Sequence, residues 1–175
     1  PGWVLYMAFW HWTGIADESK ISLIIQISGL VFLVMNLFVV KKIAEEVSDH
    51  PLAMILAVLG TVHTFARNYG TARVLLERAI VLDPNAAWAL SRLGWLEVYA
   101  DRAEAAFPHF ERALRLSPLD PMNFNNYTGI ASAHQVAGND SAAADMFIRA
   151  LEERPNALWI HRNLAPALLA AGRLD

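Results

Sequence analysis

The chain has 175 residues, 55% hydrophobic and 18% charged, which is too apolar for a disordered segment and long enough for one domain or a short helical array with an anchor. Its formal net charge of −3 and pI near 6.1 provide no global basic field, so nucleic acid is not an expected partner. The absence of cysteine excludes disulfides, thiolate metal sites and cysteine nucleophiles.

In chain order, residues 1–48 read as one or two apolar helices. Residues from Trp3 to Trp12 are rich in tryptophan and suit the tail of a preceding span or an interfacial belt, with Thr13-Gly14 and Asp17-Glu18-Ser19 as the connecting turn. Residues 21–40 carry no charge and are bounded by Lys20 and Lys41-Lys42. Twenty helical residues cover roughly 30 Å, the thickness of a hydrocarbon core. Fourteen of the twenty are Leu, Ile, Val or Phe. At about 0.3–0.6 kcal/mol each, these sum to roughly 4–8 kcal/mol in favour of insertion. A transmembrane span at 21–40, in contact with membrane lipid, is therefore expected. At 100° per residue Ser22, Gln26, Gly29 and Asn36 fall within about 80° of one another, a stripe suited to self-association in lipid. The alternative is that 1–48 forms two buried helices capping the rest of the chain.

From residue 53 onward the sequence repeats itself. Glu77-Arg78-Ala79-Ile80-Val81-Leu82-Asp83-Pro84 is echoed by Glu111-Arg112-Ala113-Leu114-Arg115-Leu116-Ser117-Pro118 and again by Ile148-Arg149-Ala150-Leu151-Glu152-Glu153-Arg154-Pro155. The first step, Pro84 to Pro118, is 34 residues and the second, Pro118 to Pro155, is 37. The extra three residues fall around Leu119-Asp120-Pro121, a turn-forming stretch where insertion costs little. The period divides the array into repeats 53–86, 87–120 and 124–157 and a partial one at 158–175. The chain starts at Pro1 and stops at Asp175, one residue past an apparent helix end; a longer parent protein is expected.

This spacing resembles the tetratricopeptide repeat over about 120 of the 175 residues. The family places a small residue at position 8, alanine at 20 and 27, a bulky apolar residue at 24 and proline at 32. Here those slots hold Gly60, Ala72, Leu76, Ala79 and Pro84, then Gly94, Ala106, Phe110, Ala113 and Pro118, then Ala131, Ala143, Phe147, Ala150 and Pro155. Arg67 and Asp101 depart from the pattern, standing where a turn glycine is usual. The resemblance implies an all-α, tetratricopeptide-type α-solenoid. Small residues let paired helices approach, larger ones fill the gaps beside them, and stacked pairs bury the faces that a single pair leaves exposed. Residues 112–121 are also similar to repeats in larger bacterial regulators, namely membrane-anchored class III nucleotide cyclases and winged-helix activators. Lys41-Lys42 against Lys20 gives a positive-inside bias. That bias alone points the array to the cytoplasm, and the resemblance implies a bacterial inner membrane as the expected location.

Chemistry-bearing motifs are scarce. No two of the six histidines stand three or four residues apart, and His63 and His134 both fall in an aromatic packing slot of the repeat. Glycine-rich phosphate loops and nucleophile elbows are missing. No catalytic residue, metal or cofactor is expected. In the tetratricopeptide repeat, positions 2, 5, 6, 9 and 12–13 of each first helix point into the concave face. The resemblance thus implies a partner-binding groove of Trp88, Arg92, Trp95 and Tyr99, then Asn125, Thr128, Ser132 and Gln135, then Trp159, Arg162 and Asn163. Aromatic and arginine side chains dominate interface energetics. Some relatives clamp a chain-end carboxylate with lysines and asparagines. The matching positions here are Ala57, Thr61, Arg92, Asn125 and Gly129, so that clamp is absent. The expected function is a non-catalytic, membrane-anchored scaffold binding a protein or peptide. The alternatives are a regulatory region of a larger signalling protein and a soluble assembly factor.

Overall fold

The computed structural model describes residues 18–47 and 50–173, and the chain divides into two units between Val47 and Ser48. In the first unit, α1 (Glu18–Val47) is a continuous helix of 30 residues. Its described apolar side chains are more than half exposed on every side, from Val39 at 51% to Phe32 at 70%. Among the described residues no helix is long and apolar enough to cross a membrane, so the expected span at 21–40 is not recovered there. The stretch 21–40 lies inside α1, and its side chains at 21–25, 37 and 40 fall outside the described residues. The tryptophan-rich stretch at 3–12 lies wholly outside them, as does the side chain of Ser22. Of the proposed self-association stripe, Gln26 is exposed, Gly29 has open space where a Cβ would stand, and Asn36 Nδ2 donates to Phe32 O at 2.8 Å.

The second unit contains seven helices among its described residues: α2 (Pro51–Phe65), α3 (Tyr69–Leu82), α4 (Ala87–Tyr99), α5 (Ala103–Leu116), α6 (Asn123–Val136), α7 (Asp140–Glu153) and α8 (Trp159–Ala170). They pack pairwise as α2 on α3, α4 on α5 and α6 on α7, and each pair packs on the next. The first helices α2, α4 and α6 also touch one another in succession, which makes them the inner layer of the solenoid.

One local device ends every first helix and, in the first three pairs, turns the chain toward the partner helix. The amides of Asn68, Arg102, Asn139 and Arg173 reach back to the carbonyls of His63, Glu97, His134 and Leu168 at 2.8–2.9 Å. This six-to-one bond closes over a residue in the left-handed region, where glycine is the natural occupant. Gly138 and Gly172 fill it at φ +76° and +66°. Arg67 and Asp101 hold the same conformation at φ +58° and +60°, so the turn geometry is set by the repeat even where its residue departs from the pattern.

Packing between pairs obeys the alternation of small and large residues. Phe110 of α5 is fully buried, and its ring lies where Cβ atoms on Gly94 of α4 and Gly129 of α6 would stand. A Cβ on Gly94 would come within 2.8 Å of that ring. Three apolar clusters run through the array, centred on Leu76, Phe110 and Phe147. The additional residues between α5 and α6 are held by side chains. Asn123 Nδ2 donates to Ser117 O at 2.8 Å and Pro118 O at 3.1 Å, and Asp120 Oδ1 accepts from the Met122 amide at 2.8 Å.

One charge is buried at the junction of the first two pairs. Glu97 of α4 has no exposed surface and contacts Arg73 of α3 and, at 2.8 Å, Arg102 in the turn after α4. Its oxygens sit against these guanidinium groups as ion pairs rather than aligned hydrogen bonds. A buried carboxylate holds its charge only when so paired.

Candidate functional site: the inner cavity of the solenoid

The inner face of α4 carries Trp88, Arg92, Trp95 and Tyr99 at steps of four, three and four residues, one stripe of a helix. Trp95 stacks on Tyr99 (centroids 5.7 Å apart, planes at 30°), and Phe65 of α2 meets Tyr99 at 6.2 Å. Behind them the Phe110 ring meets Trp95 edge-on at 5.9 Å, so the groove wall rests directly on the core. The Arg92 guanidinium lies 5.6 Å from the Trp88 ring centroid. With its amide oxygen turned toward α4, Asn125 of α6 accepts from Trp95 Nε1 at 3.1 Å and Arg92 Nη2 at 2.6 Å, the orientation that satisfies both donors.

These side chains bound one cavity of about 180 Å³, lined by Thr61, Thr64 and Phe65 of α2, Arg92, Trp95 and Tyr99 of α4, Asn125 of α6 and Trp159 of α8. All four first helices therefore contribute to it. The threonine hydroxyls donate back into their own helix, Thr61 to Ala57 O at 2.8 Å and Thr64 to Gly60 O at 2.9 Å. Burial lowers the Arg92 pKa, opposed by the nearby Tyr99, and the Tyr99 hydroxyl is raised, again chiefly by burial.

Of the residues expected in the groove, Arg92, Trp95, Tyr99, Asn125 and Trp159 are brought together here. Trp88 borders a smaller adjoining hollow of about 30 Å³ with Ser91, Arg92 and Asn125. Thr128 is elsewhere: it is fully buried, its hydroxyl donating to Phe124 O at 2.8 Å, because the close approach around Gly129 turns this position into the core. Ser132 also bonds its own helix, at Thr128 O. Gln135 and Asn163 engage each other, Gln135 Nε2 donating to Asn163 O at 3.4 Å, and so tie α6 to α8. Arg162 is exposed on α8 outside both cavities. His134 packs on Phe107 at 4.7 Å, as its slot in the repeat implies. The α2 contribution was readable from the same rule, since Thr61, Thr64 and Phe65 occupy positions 9, 12 and 13 of the first repeat.

No family model and no curated protein matches the chain. Solved structures do. The first tetratricopeptide domain of human RPAP3 is 16% identical, with a TM-score of 0.63 over 69% of this chain and 93% of that one. The first such domain of Spaghetti (RPAP3), bound to the HSP90 peptide SRMEEVD, is 17% identical with a TM-score of 0.64 over 71% and 97%. MamA of MSR-1 is 26% identical with a TM-score of 0.56 over 74% of each chain. The described repeat unit thus has the tetratricopeptide fold, an all-helical solenoid whose first helices line an inner cavity.

Proposed function

We propose that this chain is a non-catalytic interaction scaffold that holds an extended protein or peptide segment in the inner cavity. The observation that carries the reading is the convergence of Arg92, Trp95, Tyr99, Asn125 and Trp159, from three different first helices, on one space large enough for a side chain. Aromatic rings and an arginine, set on a rigid helical frame, are the composition of an interface hot spot. A similar fold in Spaghetti (RPAP3) is bound to an HSP90 peptide, which supports a peptide as the class of ligand. The double substitution Arg92→Ala with Trp95→Ala tests the reading. Pull-down partners of the full chain are lost while helicity by circular dichroism is kept; an unchanged partner set would refute it.

We further infer a membrane tether at residues 21–40. The support is the charge-free sequence, its place inside an unbroken helix, and the exposure of apolar side chains on all sides of α1, a pattern costly in water and favourable in lipid. The stripe of Ser22, Gln26, Gly29 and Asn36 would pair such helices within the bilayer. The lysine bias orients the array toward the cytoplasm of a bacterial inner membrane. Carbonate extraction is the test: the chain stays with the membrane pellet, and release into the supernatant would sink the idea. A second reading, the regulatory region of a larger cyclase or activator, rests on the likeness at residues 112–121. Extending the reading frame past both ends would reveal a catalytic or winged-helix domain, or only further repeats.

A further inference from the structure

Among the described residues, five arginines of the array are ion-paired; of those that are not, Arg92 is the one that lines the larger cavity. Arg73 and Arg102 share Glu97, Arg115 meets Glu111, Arg149 meets Glu152 and Glu153, and Arg173 meets Asp145. Arg92 has no carboxylate within ion-pair reach among the described residues. It is held by a neutral amide oxygen of Asn125, and its Nε is buried without a hydrogen-bond partner. None of the eight residues around the larger cavity is acidic, and Arg92 is its one cation. In a chain of net charge −3, the inner cavity is a local positive spot walled by aromatic rings.

We propose that the cavity reads an internal aspartate or glutamate side chain of an extended partner segment. Arg92 pairs with the carboxylate, and Trp95, Tyr99 and Trp159 pack on the methylenes beside it. This deepens the interaction reading above and rests on it. Charge complementarity selects the occupant. A guanidinium in a partly desolvated site favours a carboxylate strongly, since such charge-assisted bonds are about twice as strong as neutral ones. A lysine or arginine ligand, which aromatic walls would otherwise attract, meets a like charge at the centre. A chain-end carboxylate has no special claim, because the first-repeat positions whose lysine and asparagine would hold it carry Ala57 and Thr61.

The test uses tryptophan fluorescence of the full chain in mild detergent, titrated with acetylated and amidated octapeptides of alternating leucine and glutamate. Parallel peptides carry glutamine or lysine in place of glutamate, and one glutamine peptide has a free C-terminus. The glutamate peptide binds about tenfold or more tightly than its glutamine twin, the range a desolvated charge pair produces. Arg92→Gln erases that difference, and Arg92→Lys keeps part of it, with unchanged circular dichroism. Equal affinity for glutamate and glutamine peptides, undisturbed by Arg92→Gln, would overturn the acidic preference while leaving the groove intact. A preference for lysine, or for the free C-terminus alone, would overturn it as well. No fluorescence response to any peptide would overturn the groove reading together with this one.

Discussion

Helix α4 has two faces, and they treat charge in opposite ways. Its buried face carries Leu90, Leu93, Gly94 and Glu97, with Phe110 seated against the glycine and the Glu97 carboxylate closed between Arg73 and Arg102. Its inner face carries Trp88, Arg92, Trp95 and Tyr99, with Arg92 facing a neutral amide and the Trp88 ring but no carboxylate among the described residues. Charge on the buried face is balanced within the chain and serves the joint between repeats. On the inner face an imbalance persists that a second molecule can complete. Substitutions on the buried face should therefore change stability, and those on the inner face should change binding.

The largest effect expected on the buried side is from Phe110→Ala, which empties the space between Gly94 and Gly129. It should cost about 3–5 kcal/mol in denaturant unfolding, the usual range for a fully buried phenylalanine. Glu97→Ala comes next. Removing one member of a buried pair costs about 3–5 kcal/mol, but Arg73 and Arg102 are 30% and 49% exposed and can turn into water, so a loss of about 2–3 kcal/mol is expected. Gly94→Ala gains helix propensity of about 1 kcal/mol but drives a methyl into the Phe110 ring, for a net loss of about 1–2 kcal/mol. A gain here would mean that the ring has room to shift.

Smaller and of opposite sign are the turn substitutions. Arg67→Gly and Asp101→Gly relieve a left-handed residue at the cost of a more flexible unfolded chain. Each should stabilise by about 0.5–1 kcal/mol, with the arginine site gaining more because aspartate tolerates this conformation better. The smallest effect is on pH dependence. His109 is held below its ordinary pKa of 6.5, chiefly by burial, with Glu97 opposing and Arg73 adding to the shift. A folded state that resists protonation binds fewer protons than the unfolded chain, so its contribution is present above pH 6.5 and is lost as pH falls below it. Unfolding midpoints measured between pH 7 and 5 should fall less steeply in His109→Gln than in the parent.

Much of this arrangement was legible in the sequence because a repeat makes one position speak for several. The recurrence of Gly60 and Gly94, opposed to Leu76 and Phe110, announced the close approach of helices, and the unusual residues at 67 and 101 marked the turns that prove left-handed. The inner stripe of α4 came from helical spacing. Thr128 did not obey the same rule, because the contact made possible by Gly129 draws α6 inward and buries its neighbour. The pairing of Glu97 was not visible either. Arg73 belongs to the preceding repeat, and such long-range pairs depend on the superhelix rather than on any short spacing.

The most direct test of a partner on the inner face places a photoreactive benzophenone side chain at Tyr99 in one version of the full chain and at Val74 of α3, which is 52% exposed, in another. On irradiation in cells, position 99 should give covalent adducts with a partner, abolished by adding Arg92→Ala and Trp95→Ala, and position 74 should give none. Adducts from position 74 alone, or equal adducts from both that survive those substitutions, would contradict an inner-face binding site.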